Sequence, residues 1–269
     1  MKVEGFAVSK KRNKQKRNWM KLAEVGRIPT NATYSDPRIK FDGEHWWLTV
    51  GVEMTPIEKK QTTKQEGMGI DLGIKDLAIC SDGAKEKNIN KTQKIKKLEQ
   101  KKRRIQRSIA RKYEKNKKGE SYCKTKNIEK KEEELLKMNH KLTNLRQNYV
   151  HQITTKLVKR EPSFLCIEDL NVKGMMKNKH LSKAVQQQSF GEFRRQLEYK
   201  CAWNGIPLVI ADRFFASSKL CSCCGTIKKD LRLSDRIYHC DQCGLVIDRD
   251  YQASLNLKRY GENALKSIV

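Results

Sequence analysis

Apolar and polar residues change period several times along the chain, and each change marks an element. Met1 to Lys21 shows neither a helical nor a strand period and reads as a basic lead-in. From Asn31 the pattern alters: NATYSDPRIKF, a turn at Asp42-Gly43, then HWWLTVGVEM, a hairpin with β-branched and aromatic residues on its return arm. Thr55 to Glu66 is a polar linker. GMGIDLG at Gly67–Gly73 then alternates as a strand, with Met68, Ile70 and Leu72 on one side and Gly69, Asp71 and Gly73 on the other. Leu77 to Ser81 returns as a second strand, closed by Asp82-Gly83.

The period then becomes helical. Ile95, Leu98, Ile105 and Ile109 mark one narrow stripe, and Ile128, Leu135, Met138, Leu142, Leu145, Tyr149, Ile153 and Leu157 mark a second. They predict a helical hairpin over about 91–160, turning between Lys115 and Lys126. Phe164 to Ile167 is a short apolar strand, buried on both faces, that runs into Glu168 and Asp169. Leu181 to Asn204 predicts one amphipathic helix carrying Phe190, Phe193, Leu197 and Cys201, ended by Gly205-Ile206-Pro207. Leu208 to Ala211 is a further core strand.

After Ser217-Ser218-Lys219 come two C-x-x-C-G turns, Cys221/Cys224 with Gly225 and Cys240/Cys243 with Gly244. Glycine takes the backbone angles such a turn needs, so each turn can aim two thiolates at one cation. Four sulfurs in this spacing predict a structural zinc ribbon, with Leu231 to His239 as its hairpin. The competing interpretation is a disulfide or unrelated thiols. Cys223 lies in the wrong register to chelate and is left out.

Carboxylates supply the second chemistry. Asp71 sits mid-strand among small residues on its face, open to a ligand. Glu168 ends a buried strand, where an unpaired charge is costly. Asp248 and Asp250 open a helix directly after the metal-pinned turn, and either could cap that helix or hold a metal. An aspartate on the first strand, a glutamate on a later one and an aspartate opening the last helix form the arrangement of an RNase H-like sheet. Such acids converge on divalent metals, two Mg²⁺ about 4 Å apart in the general scheme, to hydrolyse a phosphodiester.

Composition sharpens the expected partner. The 58 Lys and Arg against 31 Asp and Glu leave a net charge of +27, and the outer faces of the helical hairpin are dense in it, as in the run KKLEQKKRRIQRS. Solvation explains part of such charge, but the excess of one sign predicts a surface that tracks phosphates. No apolar run reaches membrane-spanning length, and the first residues lack a signal-peptide core. Of nine cysteines, five remain outside the zinc set, which suits a reducing cytoplasm.

The chain resembles the TnpB (OrfB) proteins of insertion sequences, RNA-guided nucleases related to the type V CRISPR effectors. The resemblance rests on GIDLGIKDLAICSDG at Gly69–Gly83, CIEDLNVKGMMKN at Cys166–Asn178, SFGEFRRQLEYKCAWNG at Ser189–Gly205, and the ribbon with DRDYQASLNL at Asp248–Leu257. It implies a RuvC-type nuclease with Asp71, Glu168 and Asp250 as the catalytic acids, each holding Mg²⁺ or Mn²⁺. It also implies a DNA target, a guide RNA and an origin in a transposable element. Gln252 and Ser254 depart from the family's usual Asn and Ala, and the region before Gly67 is shorter than the family's.

The expected organisation is therefore α/β. Residues 1–66 form the lead-in and hairpin, 67–220 the nuclease domain with its helical hairpin, 221–243 the zinc ribbon, and 244–269 the final nuclease segment. The alternative is a non-catalytic, zinc-containing nucleic-acid-binding protein, or a decayed remnant of the family.

Overall fold

A computed structural model describes residues 33–41, 46–53, 66–232 and 234–267. The lead-in and nearly all of the linker lie outside them, as does the Asp42-Gly43 turn. The chain divides into two compact units, Met1–Glu58 and Lys59–Val269. In the first, β1 (Tyr34–Phe41) pairs antiparallel with β2 (Trp46–Val52).

The second unit is built on a five-stranded sheet. Its strands are β3 (Met68–Leu72), β4 (Asp76–Cys80), β5 (Lys85–Lys87), β8 (Leu165–Glu168) and β9 (Leu208–Ala211), in the order β5-β4-β3-β8-β9. β3 and β4 pair antiparallel, as do β4 and β5, whereas β8 runs parallel to both β3 and β9. β5 escapes the sequence pattern because it reads Lys-Glu-Lys and buries only Glu86, whose carboxylate receives Lys156 Nζ at 2.6 Å.

The side-chain alternation along β3 assigns the two faces. Met68 and Ile70 join Leu165 and Ile167 in the main core, against Ile153, Leu157, Phe193 and Leu197. The other face carries Phe164, Cys166, Ala211 and Leu257. Leu257 belongs to α6 (Arg249–Lys266), which lies on this side. Gly69 lets it come close: a Cβ there would stand 2.1 Å from the Ser254 carbonyl and 2.3 Å from Lys258 N.

Two long helices, α1 (Gln93–Lys115) and α2 (Lys126–Val158), separate β5 from β8. Between them lies a small ladder, β6 (Lys117–Lys118) with β7 (Ser121–Tyr122). The first half of α2 packs Met138 and Leu142 against Ile95, Ile105 and Ile109 of α1. Its second half carries Val150, Ile153 and Leu157 into the main core. Thr92 caps α1 by accepting from Ile95 N–H.

The stretch Leu181 to Asn204 forms two helices, not one. After α3 (Val172–Lys177), α4 (Ser182–Gln188) and α5 (Phe190–Asn204) meet at Ser189, whose φ is +55°. Gln188 turns inward there and donates to the Gly73 carbonyl at 2.8 Å, a tertiary contact with no local signature. Among the described residues no helix is long and apolar enough to cross a membrane.

Candidate active site and metal centre

Two loops of one construction bring four sulfurs together. Gly225 N–H donates to the Cys221 carbonyl at 3.0 Å and Cys221 N–H to that of Thr226 at 2.9 Å. The second loop repeats this, with Gly244 on Cys240 at 3.0 Å and Cys240 on Leu245 at 2.9 Å. Gly225 and Gly244 have φ of +76° and +72°, the left-handed region that disfavours a side chain. Cys221 Sγ lies 3.6 Å from Cys243 Sγ, and Cys224 Sγ 3.5 Å from Cys240 Sγ. All four sulfurs fall within 4.8 Å of one another, so the group can hold a metal ion. Thiolates bound tetrahedrally at about 2.3 Å stand about 3.8 Å apart, which this spacing fits. The cysteines are free, and Cys223 stands exposed outside the group.

The ribbon's hairpin differs from the expected Leu231–His239. β10 (Ile237–His239) pairs antiparallel with β11 (Val246–Asp248), so the second cysteine loop is itself the hairpin turn. β11 ends directly in α6. Asp248 caps that helix, accepting from Asp250 N–H at 3.1 Å and Tyr251 N–H at 3.0 Å, while its other oxygen faces Lys85 Nζ at 3.4 Å. Burial opposes its charge, but these bonds and the ammonium hold the Asp248 carboxyl below the usual range. Capping therefore falls to Asp248, and Asp250 stands free of that task in the first turn.

Asp71 and Glu168 occupy adjacent strand positions. Met68, Gly69 and Ile70 face Leu165, Cys166 and Ile167 in parallel register. One step further along the same register come Asp71 and Glu168, on the face that α6 covers. Burial pushes the Asp71 carboxyl well above its ordinary range, and the charges of Glu168, Asp250 and Asp248 push it further, against Arg249. Among the described residues no hydrogen bond reaches it. Burial also raises Glu168, with Asp250 adding to the rise, while the Ser217 hydroxyl, hydrogen-bonded to Oε1, works the other way.

The three acids are thus electrostatic neighbours, but they do not close into a cage. Among the described residues the four thiolates are the only ligand group of three or more within 4.8 Å. Asp250 is engaged elsewhere: Oδ1 accepts from Arg249 Nη2 at 2.9 Å, and Oδ2 lies 3.5 Å from Arg236 Nη1.

Several of these partners left little trace in the sequence. Asn256 Nδ2 donates to the carbonyls of Ser217 at 2.7 Å and Leu220 at 2.6 Å, tying α6 to the segment that carries the partner of Glu168. A polar residue within the buried stripe of α6 is the one local hint of it. Ser217 and Arg236 gave none, because each reaches its acid from a distant part of the chain, while Arg249 is the sequence neighbour of Asp250. Asp169 is an ion-pair residue, held by Arg213 at 2.5 Å and Arg194 at 2.7 Å, and the Arg213 bond keeps its carboxyl below the usual range.

Residues 49–179 match the family model described as "Probable transposase", of the IS605 OrfB group, and residues 190–257 match "Cas12f1-like, TNB domain". A Streptomyces pristinaespiralis protein named "Putative RNA-guided DNA endonuclease" is 35% identical over 243 residues, covering 90% of this chain and 56% of that protein. InsQ of Escherichia coli K12, which bears the same name, is 27% identical over 271 residues, covering 93% of this chain and 62% of InsQ. TnpB-like protein L79 of Acanthamoeba polyphaga mimivirus is 29% identical over 211 residues, covering 74% of this chain and 38% of L79. The chain thus spans about half the length of the first of these relatives. Among solved structures, a CRISPR-Cas12f ternary complex matches in fold at a TM-score of 0.52 and 17% identity, over 79% of this chain and 42% of that one. A Cas12f1–sgRNA–target DNA complex matches at 0.50 and 17% identity, over 82% and 55%. With the family models matching in succession and the curated relatives agreeing, the chain belongs to the TnpB (OrfB) family of insertion-sequence proteins.

Proposed function

We propose that the chain is a divalent-metal-dependent nuclease of RNase H-like (RuvC) fold that cuts DNA under the direction of a guide RNA. One observation carries this reading. Asp71 and Glu168 stand side by side in parallel register, under the helix whose first turn bears Asp250, and each is pushed toward protonation by burial and by negative neighbours. Such a set of acids is costly without a cation, and oxygen donors suit Mg²⁺ or Mn²⁺. The sheet supports the fold: three antiparallel strands followed by two parallel to β3, in the order β5-β4-β3-β8-β9.

In this reading Asp71, Glu168 and Asp250 hold the metal ions, and the four cysteines hold zinc. The bound divalent ions supply an activated water and stabilise the leaving oxygen. The chain's own residues set the geometry. Ser217 orients Glu168, Asn256 fixes Ser217 to α6, and Asp248 fixes the first turn of α6 on the ribbon. Arg249 and Arg236 neutralise Asp250 and must yield it before it can act as a ligand. The net charge of +27 supports a nucleic-acid partner, and the DNA and RNA named for the relatives supply its identity.

A second reading, a nucleic-acid-binding protein without catalysis, is favoured by that same pairing of Asp250 with two guanidinium groups. The test is cleavage of a DNA matched to any RNA that co-purifies with the chain, in Mg²⁺ or Mn²⁺. Metal-dependent cutting supports the enzyme, and binding without cutting under every such condition leaves the binding protein.

A further inference from the structure

The segment after β9 combines a braced turn with an aromatic ring that stands almost fully exposed. Ala211 pairs in register with Glu168, so residues 212–217 leave the sheet beside the candidate acids. The backbone of this segment is fixed. Asp212 Oδ1 accepts from Phe214 N–H at 2.8 Å, and its carbonyl accepts from Phe215 N–H at 3.0 Å. Asp212 N–H donates to the Tyr260 hydroxyl at 3.3 Å, and the Phe215 ring packs on Tyr260 with centroids 4.8 Å apart. Arg213 is held by Asp169, and Ser217 by Glu168. Within this braced turn Phe214 is 89% exposed, and among the described residues no ring or cation lies against it.

Single exposed apolar residues are common and need no explanation in general. Here the ring is held out by fixed backbone, while the next residue goes into the core. Trp203, 74% exposed, is a contrasting case, because it stands edge-on to Tyr199 at 4.7 Å. It also lies at the other end of β9, just before the strand begins.

We propose that Phe214 is a substrate-positioning residue on which one unpaired nucleobase stacks, placing a single-stranded segment so that its phosphate reaches Asp71, Glu168 and Asp250. This rests on the nuclease reading and deepens it. A paired base has both faces covered by its neighbours, so an isolated ring selects single-stranded nucleic acid. Stacking is tolerant of sequence because every base offers a π-face.

The test uses the full chain and single-stranded DNA carrying 2-aminopurine at successive positions, with binding followed by fluorescence across a salt series. Phe214→Ala should weaken binding about 5- to 150-fold, the span of one lost stacking contact, without changing the salt slope, since no charge is removed. Phe214→Trp should restore binding, and Trp203→Ala should leave it unchanged. Quenching of 2-aminopurine at one position should appear in the wild type and vanish in Phe214→Ala. If Phe214→Ala binds as tightly as the wild type with a steep salt slope, stacking is overturned while nucleic-acid binding stands. Equal losses in Phe214→Ala and Phe214→Trp also overturn it. A wild type that does not bind at all removes the nuclease reading and this proposal together.

Discussion

Asp71 and Glu168 stand one position beyond the Ile70–Ile167 pair of two parallel strands, so two acids 97 residues apart share one edge of one face. Burial raises both carboxyls, with the charge of Glu168 adding to the rise of Asp71 and that of Asp250 to the rise of Glu168. A site of this kind is unstable by itself and stable with a cation, which makes it testable without any cleavage assay.

The sign of the effect follows from linkage. An aspartate whose folded pKa lies above its unfolded value of about 3.9 gives the folded state the larger share of bound protons. Stability is then fully present below that value and is lost as pH rises through the raised one. The charged groups facing Asp71 are Glu168, Asp250 and Asp248, with Arg249 opposing them. In metal-free buffer at pH 8, Asp71→Asn should therefore raise the Tm, by about 2–4 °C for each kcal/mol of repulsion relieved. Mn²⁺ should raise the Tm of the wild type and not of the variant. Calorimetry that finds the metal-free variant less stable than the wild type at pH 8 contradicts the electrostatic account.

Gly69 makes a sharper structural prediction. Gly69→Ala would place a Cβ within 2.3 Å of α6 backbone atoms, which cannot swing aside as a side chain can. The helix must shift, at a cost of about 3 kcal/mol or more, and Asp250 should move with it. Gly191 in α5 is the control, since a Cβ there meets nothing within 4 Å. Gly191→Ala should gain up to about 1 kcal/mol from helix propensity. Denaturant midpoints for the pair that coincide would disprove the close approach.

The ribbon should carry one zinc per chain. Cys240→Ala should lose the metal and lower thermal stability, because the ion links two loops that have little core of their own. Cys223→Ala should keep both. Metal analysis of reduced, freshly purified protein decides this, and a zinc content near zero would be fatal to it.

Legibility in the sequence followed the range of the interactions. The alternation of Gly69 and Asp71 against Met68, Ile70 and Leu72 is local, and the two faces appear as the pattern predicts. The cysteine loops are local too. The break at Ser189 was hidden, because neither glycine nor proline stands at it and the contact beside it, Gln188 donating to the Gly73 carbonyl, spans more than a hundred residues. Pattern alone could not divide the roles of Asp248 and Asp250. Only the hairpin geometry, which puts Asp248 at the end of β11, shows which carboxylate turns back to cap. Arg236 on Asp250 was invisible for the same reason: it reaches the carboxylate only across the folded ribbon.

The central claim is that Asp71, Glu168 and Asp250 act together on bound metal, and one alanine series tests it most directly. Cleavage of a DNA matched to the co-purified RNA should be measured in Mn²⁺ for six variants, alongside their affinity for the same nucleic acid. Asp71→Ala, Glu168→Ala and Asp250→Ala should abolish cutting with binding almost unchanged, since an incomplete cage leaves the leaving oxygen unstabilised. Asp76→Ala, Asp169→Ala and Asp248→Ala should retain substantial activity, the last losing about 1 kcal/mol of stability with its cap. A wild type that cuts, together with an Asp250→Ala variant that cuts equally well and an Asp248→Ala variant that is dead, would contradict the account.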